Sequence, residues 1–484
     1  MQCDIMILKI RKIVGCYMKL KDSRLKLALI SGIALSILTL SGCSADENKQ
    51  QINTNTATQD VVTDTVTNDS EDKAITENDA TELDMTAIPS IKEGVQNNLG
   101  CFVGCAATGD ELDDPEVFRI VTTYFNAITL GNELKPDAMF NYSVDKVPGI
   151  VTDELNGEEI EVPKISYARA EKLLDKIYDW NQENPDQKIM VRGHVLVWHS
   201  QTPEWFFHEE YDKSKPYVTK DVMNKRLEWY IKTVLTHFTS EDSKYHDMFY
   251  GWDVVNEAIS DQGGKLRTDA ENPNESLNES RHNNNSSWYH VYGNEEFIVN
   301  AFKYANKYAP ENLELYYNDY NECNIVKMNG IVELLNTIKE NEGAPGEGTR
   351  ISAMGMQGHY GMDDPKFTAV ETAIKTYARV VGNVQITEMD ISASSDYDGS
   401  KTAKEAEYEK QAKRYKMLYF AMKSANMNDD VNVTGLTFWG TVDQYSWLQH
   451  RSGVGGGNKN GLPQCPLLFD ENYEPKPCYL VFTE

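Results

Sequence analysis

From residue 87 to the end of the chain, short runs of β-branched and aromatic residues alternate with longer segments whose apolar residues return at helical spacing. The short runs predict strands over 101–106, 125–130, 189–198, 249–256, 313–318, 351–357, 384–388 and 433–439. The longer ones predict amphipathic helices over 167–183, 221–238, 295–308, 324–341, 367–380 and 402–425. Strands that alternate with helices imply a parallel sheet, and eight such units close naturally into a (β/α)8 TIM barrel. No Pro-, Gly- or Ser-rich linker interrupts the series, so residues 87–484 read as one domain. This exceeds the ~250 residues of an ordinary barrel, which implies long loops after the strands. The polar stretch 268–287 is one of them.

The N-terminal part has a different pattern. A basic start at Met18 leads into an apolar stretch through Leu40 and then Ser41-Gly42-Cys43. Such an order describes a secretory signal rather than a spanning helix. Leu40–Cys43 also resembles a bacterial lipobox, which would make Cys43 the lipidated first residue of an exported, cell-surface or secreted protein. Residues 1–17 then form an upstream extension. Residues 44–86 are rich in Thr, Asn, Asp and Glu and poor in large apolar groups. Too little surface is available there to offset ordering entropy, so a disordered tether is expected.

A formal net charge of −28 disfavours nucleic acid and unaided binding to anionic lipid. A neutral polymer suits that charge, and membrane contact is expected only through the anchor. The eight cysteines contain no C-x-x-C pair, although Cys465 and Cys478 could join in an exported chain. His194, His199 and His237 lack zinc-site spacing.

Two apolar runs end in carboxylates: Trp252-Asp-Val-Val-Asn-Glu257 and Val384-Gln-Ile-Thr-Glu-Met-Asp390. A desolvated charge is costly without partners, so acids at buried strand ends call for a reason. Two glutamates meeting across a sugar supply one, since glycosidic cleavage uses a proton donor and a second carboxylate. Side chains at i, i+2 and i+4 share a strand face. This groups Glu388 with Ile386 and Asp390, His194 with Leu196 and Trp198, and Gln357 with His359. Asn256 and Glu257 are adjacent, so both face the same cleft only if the strand ends or bulges there.

Asn132-Glu-Leu-Lys135, Gly193-His-Val-Leu-Val-Trp-His199, Trp252–Ala258, Gly355-Met-Gln-Gly-His359, Thr387-Glu-Met-Asp390 and Phe438-Trp-Gly with Asp443 and Ser446-Trp447 follow in order. Together they resemble glycoside hydrolase family 10, the retaining endo-β-1,4-xylanases, over about residues 90–484. The resemblance implies Glu257 as general acid and then base, and Glu388 as nucleophile. It implies Asn256 on the sugar 2-hydroxyl, Asp390 orienting His359, His359 holding Glu388, and Gln357 beside the acid. Asn132, Lys135 and His194 match sugar-binding positions, and Trp198, Trp439 and Trp447 match the aromatic walls of a cleft. It further implies xylan and xylo-oligosaccharides as substrate, a monomeric catalytic domain, and neither cofactor nor metal. Gly131 departs from the glutamate often found before the asparagine, which puts one outer sugar contact in doubt. A β-glucan or aryl-xyloside hydrolase, and an oligosaccharide-capturing lipoprotein without chemistry, remain as rivals.

Overall fold

A computed structural model describes residues 89–484 apart from 144, 275–276, 278–283, 429 and 451–462. The expected leader over 1–43, with Cys43, and the tether over 44–86 lie outside the described residues.

Strands β1 (Phe102–Ala107) and β2 (Ala127–Leu130) are followed by an antiparallel hairpin, β3 (Ile150–Leu155) and β4 (Glu158–Pro163), which forms its own sheet. The main sheet continues through β5 (Met190–Gly193), a short β6 (Val197–Trp198), β7 (Phe249–Asn256), β8 (Glu314–Asp319), β9 (Ala353–Met356), a short β10 (His359–Gly361), β11 (Asn383–Ser392) and β12 (Asn432–Phe438). Every pairing in it is parallel. β12 pairs back onto β1, with Val103 opposite Leu436, and β9 pairs with β11, so the staves close into a (β/α)8 barrel.

Helices cover the outside, and some of them start at a side-chain cap. Asn324 accepts from the backbone of Val326 and Lys327 at the head of helix Ile325–Glu340, and Thr219 caps Lys220–Thr239. Their inner faces pack on the strands: Phe238 lies 6.0 Å from the Trp252 ring and 5.8 Å from Phe249. Cys465 and Cys478 are both free thiols, so the pairing entertained from sequence is not present.

Observed bounds differ from the sequence reading by a residue or two for most barrel elements. The third stave differs more. It breaks after Gly193 and resumes at Val197, so the single run over 189–198, with His194, Leu196 and Trp198 on one face, does not exist. Leu196 instead points its backbone N–H at the Asp253 carbonyl, 3.0 Å away, and its side chain is buried. The β3–β4 hairpin and the helices Ile91–Leu99 and Pro115–Tyr124 went unforeseen. The hairpin carries mostly exposed, acidic residues and so lacks the apolar alternation that marks a strand. Its turn, Asn156-Gly157 with φ of 53° and 85°, was a legible hairpin signal all the same.

The lower barrel interior is polar. Arg192 and Asp253, both fully buried, form a two-pronged ion pair, and Asp253 also bonds His194 Nδ1 at 2.8 Å. The Arg192 guanidinium stacks over Tyr316 at 4.9 Å. This pair fixes β5 against β7 directly below the mouth of the barrel.

Candidate active site

A cleft of about 1040 Å³ opens at the C-terminal ends of the strands. Among its lining residues are Asn132, Lys135, His194, Trp198, Asn256, Glu257, Gln357, His359, Glu388, Trp439 and Trp447, drawn from six staves and the loops that follow them. Asp390 alone of the expected residues sits beneath the surface, where it is fully buried.

Glu257 reaches the cleft because β7 ends at Asn256 and the next residue turns left-handed, with φ of 57°. The register of β7 against β8 slips between Asp253 and Val255, a bulge that lets Asp253 and Asn256, three apart, both reach groups inside the barrel. Trp198 Nε1–H donates to Glu257 Oε2 at 3.0 Å. The amides of Gln357 and Asn256 donate to Oε1 at 2.8 and 3.1 Å. Three donors therefore hold this carboxyl in one orientation.

Glu388 is held from the other side. Asn318 Nδ2 donates to its Oε1 at 2.7 Å, and His359 Nε2 bonds Oε2 at 3.2 Å. His359 Nδ1 faces Asp390 Oδ2 at 2.9 Å, and Trp447 Nε1–H donates to the same oxygen at 2.8 Å. Burial alone would discharge His359, but the Asp390 and Glu388 carboxylates outweigh it and raise its pKa to about 10. Burial likewise pushes Glu388 upward. The hydrogen bond from His359, the nearby imidazoles and the Asn318 amide prevail and hold it at about 2. Glu388 is thus a fixed, ionised carboxylate beside an imidazolium.

The two glutamates are connected. The Asn256 side-chain oxygen accepts from Asn318 at 3.0 Å and from Gln357 at 3.2 Å, so one amide relay ties the Glu257 and Glu388 clamps together on one rim. Glu388 and Asp390 share a face, as alternation expects, and both engage His359. The same rule fails one residue earlier. Thr387 and Glu388 are neighbours, yet both bond Asn318, and β11 slips register against β12 between Ile386 and Met389. Gln357 and His359 both reach the cleft because Gly358, at φ of 81°, separates β9 from β10.

At the other end of the cleft Lys135 Nζ donates to Asn132 Oδ1 at 3.0 Å and Gln201 Oε1 at 3.2 Å, and sits 5.2 Å from the Trp198 ring. Gln201 and Asn318 were not foreseen. Asn318 had a signal, as a polar residue ending an apolar strand. Gln201 had none beyond its nearness to Trp198. Glu111, which accepts from the Thr108 backbone N–H, lines the cleft as Gly131 does, and burial pushes its carboxyl up to about 7. His199 also borders the cleft, and desolvation holds its pKa well below the ordinary imidazole value.

A closed parallel barrel with two clamped glutamates among indoles and amides on one rim is the class of a barrel glycoside hydrolase. The chain belongs to glycosyl hydrolase family 10, whose pattern matches residues 90–484. It is similar to the bifunctional endo-1,4-beta-xylanase XylA of Ruminococcus flavefaciens, at 33% identity over 378 residues, covering 78% of this chain and 32% of that protein. It is also 30% identical to endo-1,4-beta-xylanase B of Paenibacillus barcinonensis, over 81% of this chain and 97% of that one. The chain spans about a third of the length of the first curated relatives it matches. Among solved structures it resembles the N-terminal CBM22-1-GH10 modules of Clostridium thermocellum endo-1,4-beta-D-xylanase 10B complexed with xylohexaose. That match has a TM-score of 0.63 and 30% identity, covering 82% of this chain and 67% of the other.

Proposed function

We propose that this protein is an endo-1,4-β-xylanase that cleaves internal bonds of xylan by a retaining double displacement. Glu388 attacks the anomeric carbon and the glycosidic bond breaks, while Glu257 gives its proton to the leaving oxygen. Water, deprotonated by Glu257, then displaces Glu388. The observation that carries this reading is the pair of clamped carboxyls on one rim, Glu257 and Glu388, joined through Asn256, Asn318 and Gln357. A carboxylate held at about 2 by an imidazolium and an amide is ready to attack at any pH where xylan is digested. Asn256 would meet the sugar 2-hydroxyl, and Trp198, Trp439 and Trp447 would cover its apolar faces. Asn132, Lys135 and His194 would bind the sugars on the non-reducing side. The family relatives and the neighbour complexed with xylohexaose favour xylan over other β-glycans. The cleft, at about 1040 Å³, stands at the upper end of the ~300–1,000 Å³ of common small-ligand sites, which leaves room for more than one sugar.

Proton NMR of xylan digests supplies the test. The β-anomer should appear first, among oligosaccharides rather than free xylose. First appearance of the α-anomer would remove Glu388 from the nucleophile role, and faster release from barley glucan than from xylan would reject the substrate. On the same reading the protein is exported and held at the cell surface through lipidated Cys43.

A further inference from the structure

Immediately after Glu257 the chain folds back on itself. Arg267 N–H donates to the Ala258 carbonyl at 2.8 Å, Ser260 N–H to Lys265 at 2.7 Å, and Ile259 bridges Leu266. The tip of this hairpin is seated on helix Ile325–Glu340, where a Cβ on Gly330 would lie 1.8 Å from the Gly264 carbonyl oxygen. Lys327 of the same helix pairs with Asp261 and Asp319, at 2.9 Å each. At the base stands Arg267, 4% exposed. Its Nε donates to the main-chain carbonyl of Glu257 at 3.0 Å, one terminal nitrogen to the Asn284 carbonyl at 3.3 Å, and the other to the Tyr320 hydroxyl at 3.2 Å. Asn284 and Tyr320 line the cleft with Glu257.

We infer that Arg267 is a positioning residue that aims the Glu257 carboxyl by clamping the left-handed turn beneath it to the cleft wall formed by Asn284 and Tyr320. A non-glycine residue at φ of 57° stays there only where its surroundings over-determine it. The Tyr317 hydroxyl accepts from the Ala258 and Ile259 N–H groups, and the Asn318 carbonyl from Glu257 N–H, while Arg267 is the side chain that holds the Glu257 carbonyl itself. Its planar fork reaches three acceptors at once, which a lysine ammonium on a flexible stem does not reproduce. The inference rests on Glu257 being the proton donor.

Leaving-group chemistry separates aim from stability. Dinitrophenolate departs without a proton, whereas phenolate needs one. Arg267→Lys and Arg267→Gln should lower kcat/KM on phenyl β-xylobioside about tenfold or more, a part of the roughly 10²–10⁴-fold that proton transfer contributes. On the dinitrophenyl glycoside kcat/KM should stay within about twofold, with azide restoring any loss in kcat. An equal fall on both substrates, or no fall on either, overturns the inference, and thermal unfolding of both variants identifies simple misfolding. Glu257→Ala is the control. If it lacks the same split, the proton-donor reading fails, and Arg267 is not what the experiment has tested.

Discussion

His359 touches both Asp390 and Glu388, and its hydrogen bond and charge are among the interactions that hold the Glu388 carboxyl well below its ordinary range. Replacing it with asparagine keeps a donor but removes the cation, so the Glu388 pKa must rise from about 2. His359→Asn should therefore move the acid limb of the kcat/KM profile on xylo-oligosaccharides to higher pH by about one unit or more, each unit being worth about 1.36 kcal/mol. An unmoved limb would show that another group sets it. The same pair links stability to pH. The Glu388 contribution is present above its ordinary 4.5 and is lost as pH falls through about 2. The His359 contribution is present below its ordinary 6.5 and is lost as pH rises through about 10. Urea midpoints in the wild type should decline between pH 7 and 10 more than in His359→Asn.

At the scale of elements, two contacts hold β7 and the hairpin that follows it. Arg192 and Asp253 lock β5 to β7 in a place without water access. Asp253→Ala leaves the guanidinium buried and uncompensated, and frees His194 from its acceptor. Breaking such a pair costs about 3–5 kcal/mol, and the denaturant midpoint should fall accordingly. The hairpin after β7 depends on the close approach of Gly330 and Gly264. Gly330→Ala has no room for its methyl group. It should lower the melting temperature even though alanine is the better helix former by about 1 kcal/mol. A variant as stable as the wild type would mean that the hairpin does not press on that helix.

Across the whole molecule, the proposed anchor and the barrel act separately. On the proposed reading Cys43 carries the anchor, while every group of the cleft comes from residues 106–447. Cys43→Ala should abolish incorporation of labelled palmitate in cells and release the enzyme to the medium, with kcat on soluble xylan unchanged. Label retained on the variant would reject Cys43 as the lipidated residue. The −28 charge belongs to the same scale, since it concerns partners and solubility rather than the site, and a neutral polymer approaches such a surface without electrostatic penalty.

The barrel was legible because each strand and helix announces itself through local periodicity, and a closed parallel sheet is what such an alternation packs into. Glu257, Glu388, His359 and their aromatic neighbours were legible through segments that resemble a known family. The broken third stave, the bulge in β7 and the slip in β11 were not. Nor were Asn318, Gln201 and Arg267, whose meaning lies in what they touch. A sequence records which side chains are available and how often apolar ones recur. Register between strands, the left-handed turn under Glu257 and the charge on His359 arise only when separate segments are pressed together out of water, because each depends on partners distant in the chain: Leu436 opposite Val103, Arg267 for Glu257, and Glu388 and Asp390 for His359.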